Sequence, residues 1–253
     1  MQVRITAIAT AIAGTMLAGP SASAAELKVL TAGAMKQVVL ALAPQFESQG
    51  HKLIVDNDTA GGLVKRIEGG EAFDVAIITP TAVDGLIAKG KITGTRSDLA
   101  RVGIGVMVKE GAPKPDVGNL EAFKKALLAA KSVAYVDPAS GGSSGIYLTG
   151  LFEKLGIADA LKPKLKLKNG GLVADLITSG EAELGLQQMS EIVPIKGVAL
   201  VAPLPAEVQN YTTYSGGISA TAKDAAAARA LIDLLAGTPA AAVLREKGMD
   251  RPS

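Results

Sequence analysis

The 253-residue sequence sets 26 lysines and arginines against 24 aspartates and glutamates, for a formal net charge of +2, with 3% aromatic residues, one histidine and no cysteine. That balance lacks the basic stripe and stacking side chains of a nucleic-acid surface, and the missing thiols rule out disulfides and a lipid-attachment cysteine. It also leaves no ordinary donor set for zinc or a redox metal, so no metal or other cofactor is expected.

At the N-terminus, Arg4 precedes an uncharged run that ends in Pro20 and then Ala22-Ser23-Ala24. This pattern predicts a secretory signal peptide over 1–24, cleaved after Ala24. The apolar run is shorter than the ~20 residues that a spanning helix needs. Since no later segment reads as a span, the expectation is a periplasmic protein that is not membrane-embedded.

From Leu27 onward, short apolar runs alternate with helical patterns, as in βα units on a largely parallel sheet. Leu27 to Thr31 reads as a strand, after which Met35, Val38, Val39, Leu42 and Phe46 recur at helical spacing, so a helix begins just after Gly33. Lys52 to Asp56 is a second strand. Thr59 is then placed to cap a helix that has Gly61 and Gly62 in its first turn. Asp74 to Thr79 is a third strand, followed by a helix near Val83 to Ala88. Three successive strands thus end at small or hydroxyl residues, and in open α/β sheets ligands sit at the carboxyl ends of the strands, where the following helices point their N-termini.

Arg101 to Lys109 is an extended run long enough to cross from one lobe to another. Asn119 caps a helix through Ala130, and Ser132 to Val136 is a strand that leads into Asp137-Pro138 and a glycine- and serine-rich turn. Gly141, Gly142 and Gly145 let the backbone turn tightly, and Ser143 and Ser144 are placed to cap the next helix. Free N–H groups at such an end, flanked by hydroxyls, favour an anion. The lysine-rich run Leu161 to Lys168 reads as an edge strand. A short helix over Leu172 to Ile177 precedes a strand from Leu184 to Gln187, which ends at Gln187, Gln188 and Ser190. Val198 to Val201 and Thr212 to Ala220 are further extended runs, and helices over Ala225 to Leu235 and Pro239 to Lys247 close the chain.

Gly141 to Gly145 literally matches G-x-S-x-G in a strand-to-helix context, the setting of a nucleophile elbow. Yet the one histidine, His51, precedes the serine, whereas that hydrolase order puts the histidine last, and a serine without a positioned base is a poor nucleophile. No P-loop is present, and VDNDTAGG lacks the spacing and closing glutamate of a calcium loop.

The segments TAGAM, DTAGGLVKRIEGGEAFDVAIIT, YVDPASGGSSGIYLTGLFEKLGI and ITSGEAELGLQQMSEI, in that order behind a signal peptide, resemble the type II periplasmic solute-binding proteins, in the molybdate-binding-protein-like branch. The resemblance implies an α/β protein of two lobes, each a mostly parallel sheet flanked by helices, joined by two hinge strands. By that reading lobe one takes residues 25–104 plus 200–253 and lobe two takes 105–199, with hinges near Gly103 to Val108 and Lys196 to Pro203. It further implies a small anion clamped between the lobes and, as partners, an ABC-type permease and ATPase.

Carried over residue by residue, the resemblance places the anion among Gly33, Ala34, Thr59, Gly61, Thr79, Ser143, Ser144 and Gln188. Molybdate binders carry paired serines where this chain has Gly33 and Ala34, a serine near the position of Ala60, and a tyrosine near that of Gln188. With hydroxyls lost and amides gained, the expected ligand is an organic di- or tricarboxylate rather than molybdate. The branch also includes aconitate isomerase, which moves a double bond by proton shift. For such chemistry the acid–base candidates are Lys36, Asp58, Asp137 and Glu191.

Overall fold

A computed structural model describes residues 24–252. The expected signal peptide lies outside the described residues, save for its last position, Ala24. The first part of the chain runs β1 (Glu26–Ala32), α1 (Gly33–Glu47), β2 (Lys52–Asp58), α2 (Ala60–Glu68), β3 (Val75–Ile78), α3 (Pro80–Ala88) and β4 (Ile92–Lys109). It continues through α4 (Leu120–Ala129), β5 (Val133–Val136), α5 (Ser143–Lys154), α6 (Ala158–Leu161), β6 (Leu165–Lys168), α7 (Ala174–Thr178) and β7 (Leu184–Gln188). The last elements are β8 (Val198–Pro203), β9 (Tyr211–Ser219), α8 (Ala225–Ala236) and α9 (Thr238–Glu246).

The strands lie in the order β2-β1-β3-β9-β4-β7-β5-β6, with β8 also paired to β4. The β1–β2, β1–β3, β5–β6 and β5–β7 pairs are parallel, and the partners of β4 are antiparallel to it. β4 is the strand shared by both lobes. Its residues Ile92 to Gly103 pair with β9, and Ile104 to Lys109 pair with β7 and β8. The sequence reading began this strand at Arg101; it begins at Ile92, because the polar stretch Thr93 to Asp98 pairs with β9 through a register shift and gains its strand character from that partner rather than from apolar alternation.

Helical spacing placed the core correctly. Met35, Val38, Val39, Leu42 and Phe46 are all buried on α1, in a cluster with Leu27 and Val29 of β1 and Leu231 and Ile232 of α8. A second large cluster joins Phe123 of α4, Phe152 of α5 and Leu186 of β7. Each such side chain contributes about 1.5–3 kcal/mol on burial. Among the described residues no single helix is long and apolar enough to cross a membrane; α8 and α9 pass such a test only as a pair bent by 59°.

Two local readings change. The lysine-rich run Leu161 to Lys168 is not one strand: Pro163, which lacks an N–H, sits in a 3-10 turn over Lys162–Lys164, and only β6 pairs, at the sheet edge as expected. At the start of α5 the N-cap is Gly142, with no side-chain cap, so Ser143 and Ser144 are first-turn residues and not caps. Their hydroxyls are thereby released for tertiary contacts.

α5 lies so close to β5 that a Cβ built on Gly145 would fall 2.0 Å from the carbonyl oxygen of Val136. Gly145→Ala should therefore force strand and helix apart and destabilise the protein by about 1–3 kcal/mol, as overpacking does. The measurement is the urea midpoint; an unchanged midpoint would show that this contact is not tight.

Candidate functional site

The carboxyl ends of β1, β2, β5 and β7 converge on one cleft between the lobes, with a cavity of about 100 Å³. Lobe one contributes Gly33 and Ala34 at the start of α1, the Asn57 to Ala60 segment that enters α2, and Tyr214 of β9; lobe two contributes Gly142 to Ser144 and Gln187, Gln188, Ser190 and Glu191.

Of the residues expected from the sequence, Gly33, Ala34, Thr59, Ser143, Ser144 and Gln188 line this cavity, whereas Gly61 and Thr79 do not. Thr79 is the N-cap of α3 and is not among the residues that line the cavity. Gly61 serves closure instead. Its N–H donates to the Gly141 carbonyl at 3.2 Å, and a Cβ on either glycine would meet the other's Cα within 2.8 Å. Gly141 has φ 78°, a left-handed conformation suited to glycine. Thr59 strengthens the same clasp, since its hydroxyl donates to the Ser140 carbonyl and accepts from the Gly62 N–H at 3.0 Å.

Deeper in the cleft, the Gln188 side-chain amide donates towards Ser143 Oγ at 3.0 Å, Thr212 Oγ1 at 3.1 Å and Tyr214 Oη at 3.3 Å. Ser143 and Tyr214 also lie 3.3 Å apart, hydroxyl to hydroxyl. This network spans both lobes. Gln187 accepts from the Val173 N–H at 2.8 Å and donates to the Gly171 carbonyl at 3.0 Å.

The acid–base candidates separate sharply. Asp137 holds its own turn by accepting from the Ala139 N–H at 2.9 Å and does not line the cavity. Asp58 accepts from the Thr59 N–H at 2.7 Å and lies 3.8 Å from the Arg66 guanidinium. Lys36 lines the cavity wall. Glu191 stands apart, because its carboxyl is pressed against the start of α1: a Cβ on Gly33 would lie 2.5 Å from Glu191 Oε1. Burial pushes this carboxyl up to about 8, with a hydrogen bond from Gln187 offsetting part of the rise. Tyr214 is pushed up to about 12 by burial and by the neighbouring Glu191 charge, so it remains a hydroxyl donor at neutral pH.

The G-x-S-x-G match carries no nucleophile. Ser143 is bonded to Gln188 and Tyr214, while His51 stacks on Phe46 with ring centroids 4.7 Å apart and accepts from the Ala25 N–H at 3.4 Å.

A two-lobed α/β molecule whose helix N-termini and side-chain amides face each other across a closed cleft is a solute-binding fold. Residues 27–250 match the family described as bacterial extracellular solute-binding protein, and the chain belongs to that family. It is 34% identical over 231 residues to an aconitate isomerase from Pseudomonas sp., spanning 88% of this chain and 87% of that protein. Identity to the molybdate-binding protein ModA of Azotobacter vinelandii is 28% over 246 residues, 93% of this chain and 94% of that one. The structure of the Azotobacter vinelandii periplasmic molybdate-binding protein superposes with a TM-score of 0.75 at 22% identity, covering 90% of this chain and all of the other.

Glu191 makes stability depend on pH. Its carboxyl ionises near 4.5 when unfolded and near 8 when folded, so between those values the native state holds the extra proton. The contribution is fully present below pH 4.5 and is lost as pH rises to about 8, with a limiting slope of about 1.4 kcal/mol per pH unit. Glu191→Gln should flatten that decline in a series of urea titrations from pH 4.5 to 8.5; parallel curves for the two proteins would mean that Glu191 ionises normally.

Proposed function

We propose that this protein is an exported isomerase that shifts a proton in an unsaturated polycarboxylate of the aconitate class, bound in the interlobe cleft. The observation that carries the reading is Glu191, a carboxyl group with a raised affinity for protons that faces a cavity among backbone and amide donors. A carboxyl that exchanges its proton close to neutral pH is the kind of base that a proton shift requires. The 34% identity to an aconitate isomerase over most of both chains supports the same reading.

The chemistry assigned to the chain is short. Ionised Glu191 removes a proton from the allylic CH2 carbon of the substrate, and the C–H electron pair becomes the new double bond. The old double-bond pair takes a proton at its far carbon, returned by the Glu191 carboxyl. One C–H bond breaks, one forms, and Glu191 ends as it began. The first-turn amides of α1 and α5 hold carboxylates and stabilise the charge that spreads onto them in the transition state. Tyr214 and Ser143 position Gln188.

The second reading, uptake of an organic acid with a membrane permease and its ATPase, is supported by the family itself and by the clasp of Thr59, Gly61 and Gly141, which suits capture by lobe closure. In either case residues 1–24 would direct export to the periplasm and be removed. Mature protein incubated with trans-aconitate in D2O, followed by NMR, decides between them. The isomerase reading expects formation of the cis isomer with exchange at the allylic carbon, and a fall of at least about 100-fold in rate for Glu191→Gln with binding retained. Tight binding without conversion or exchange in the wild type would leave an uptake protein. As an independent check, kcat/KM of the wild type should rise with pH towards a plateau above about 8 as Glu191 ionises.

A further inference from the structure

Two residues that line the same cavity each bury a polar atom with no hydrogen-bond partner among the described residues: Ser190 Oγ and Gln188 Oε1. Ser190 is 0% exposed and Gln188 1% exposed. Leaving such atoms idle is costly, and buried polar groups in folded proteins are nearly always paired. Ser190 lies in the 3-10 turn Met189–Glu191 that follows β7, and is therefore the immediate neighbour of Glu191.

The Gln188 amide faces three hydroxyl oxygens with a nitrogen that has only two hydrogens, while its carbonyl oxygen is left unused. A half-turn about its last bond resolves both problems. Ser143, Thr212 and Tyr214 each have a proton to donate to the carbonyl oxygen, and the amide nitrogen then has N–H groups to present to a ligand. Ser190 Oγ–H supplies another donor. Hydrogen donors from residues two apart at one strand end suit the two oxygens of a carboxylate, and the Gln187 amide is committed differently, accepting from the Val173 N–H and donating to the Gly171 carbonyl and to Glu191.

On the polycarboxylate reading of the cleft, we propose that Ser190 is a specificity-determining residue which, together with Gln188, takes a second carboxylate of the substrate, apart from any carboxylate held at the helix N-termini. Anchoring the acid at both ends would hold its allylic carbon next to Glu191. The site would then favour a tricarboxylate over acids that lack the carboxylate read by Ser190.

The test uses mature Ser190→Ala and wild type, with melting temperatures measured without ligand and affinities measured by calorimetry for trans-aconitate, glutaconate and mesaconate. The last two each lack one carboxylate group of the first. The expected result is an unliganded melting temperature equal to or above that of the wild type, because the deleted hydroxyl has no protein partner to lose. Affinity for trans-aconitate should fall by about tenfold or more, the loss of a hydrogen bond to a charged group. One of the two dicarboxylates should bind variant and wild type equally. Equal trans-aconitate affinity in the two proteins would overturn the role of Ser190 while leaving the proposed function standing. A drop in the unliganded melting temperature alongside lost affinity for all three acids would mark Ser190 as structural and overturn it too. If wild type binds none of the three, the polycarboxylate reading itself fails and this role with it.

Discussion

The molecule is organised around β4, an 18-residue strand that belongs to both sheets. Its first two-thirds hydrogen-bond to β9 and its last third to β7 and β8, so one continuous backbone sets the angle between the lobes. Because β1 and β2 on one side and β5 and β7 on the other end at the same gap, the N-termini of α1, α2 and α5 are brought to face one another across it. Aligned N–H groups from opposite directions are a ready anion cradle, and closure removes the water that would compete for them. The clasp of Thr59 and Gly61 against Ser140 and Gly141 depends on this angle, since it joins the Thr59 hydroxyl and the Gly61 N–H to the carbonyls of Ser140 and Gly141 and leaves no room for a Cβ on either glycine.

Two carboxyl groups line the cradle, Asp58 beside Arg66 and Glu191 against Gly33, and Glu191 runs against the prevailing electrostatics. A carboxyl beside amide donors would ordinarily ionise readily, yet burial keeps Glu191 protonated well above the usual carboxylate range. Gly33 explains how it fits: only a residue without a Cβ leaves space for Oε1 at the start of α1. The cleft therefore contains an acid–base group of its own where an inert binding site would offer only donors.

Much of the architecture was legible in the chain. Apolar residues at helical spacing marked the buried face of α1, and small residues after three strands marked the ligand end of the sheet. Gly33, Ala34, Thr59, Ser143, Ser144 and Gln188 were named from their positions at strand ends, and they do line the cleft. The sequence reading failed where a residue's role depends on a distant partner. Gly61 serves the interlobe clasp because Gly141 comes to meet it. Ser143 and Ser144 gave up capping because Gly142 takes the N-cap. Tyr214 carried no local signal at all, being one position in an unremarkable strand.

By itself, then, the sequence determined what depends on neighbours in the chain: the order of strands and helices, the apolar faces that form the cores, and which strand ends carry groups small or polar enough to approach an anion. These follow from periodicity and backbone preference, which act over a few residues. Only the tertiary structure decided which of four ionisable candidates has unusual chemistry. Asp137 was absorbed by its own turn, Asp58 lies beside Arg66, and the half-buried Glu191 packs against Gly33, about 160 positions away in the chain. Proton affinity is set by the dielectric and the charges within a few ångströms, and those neighbours come from strands brought together only on folding.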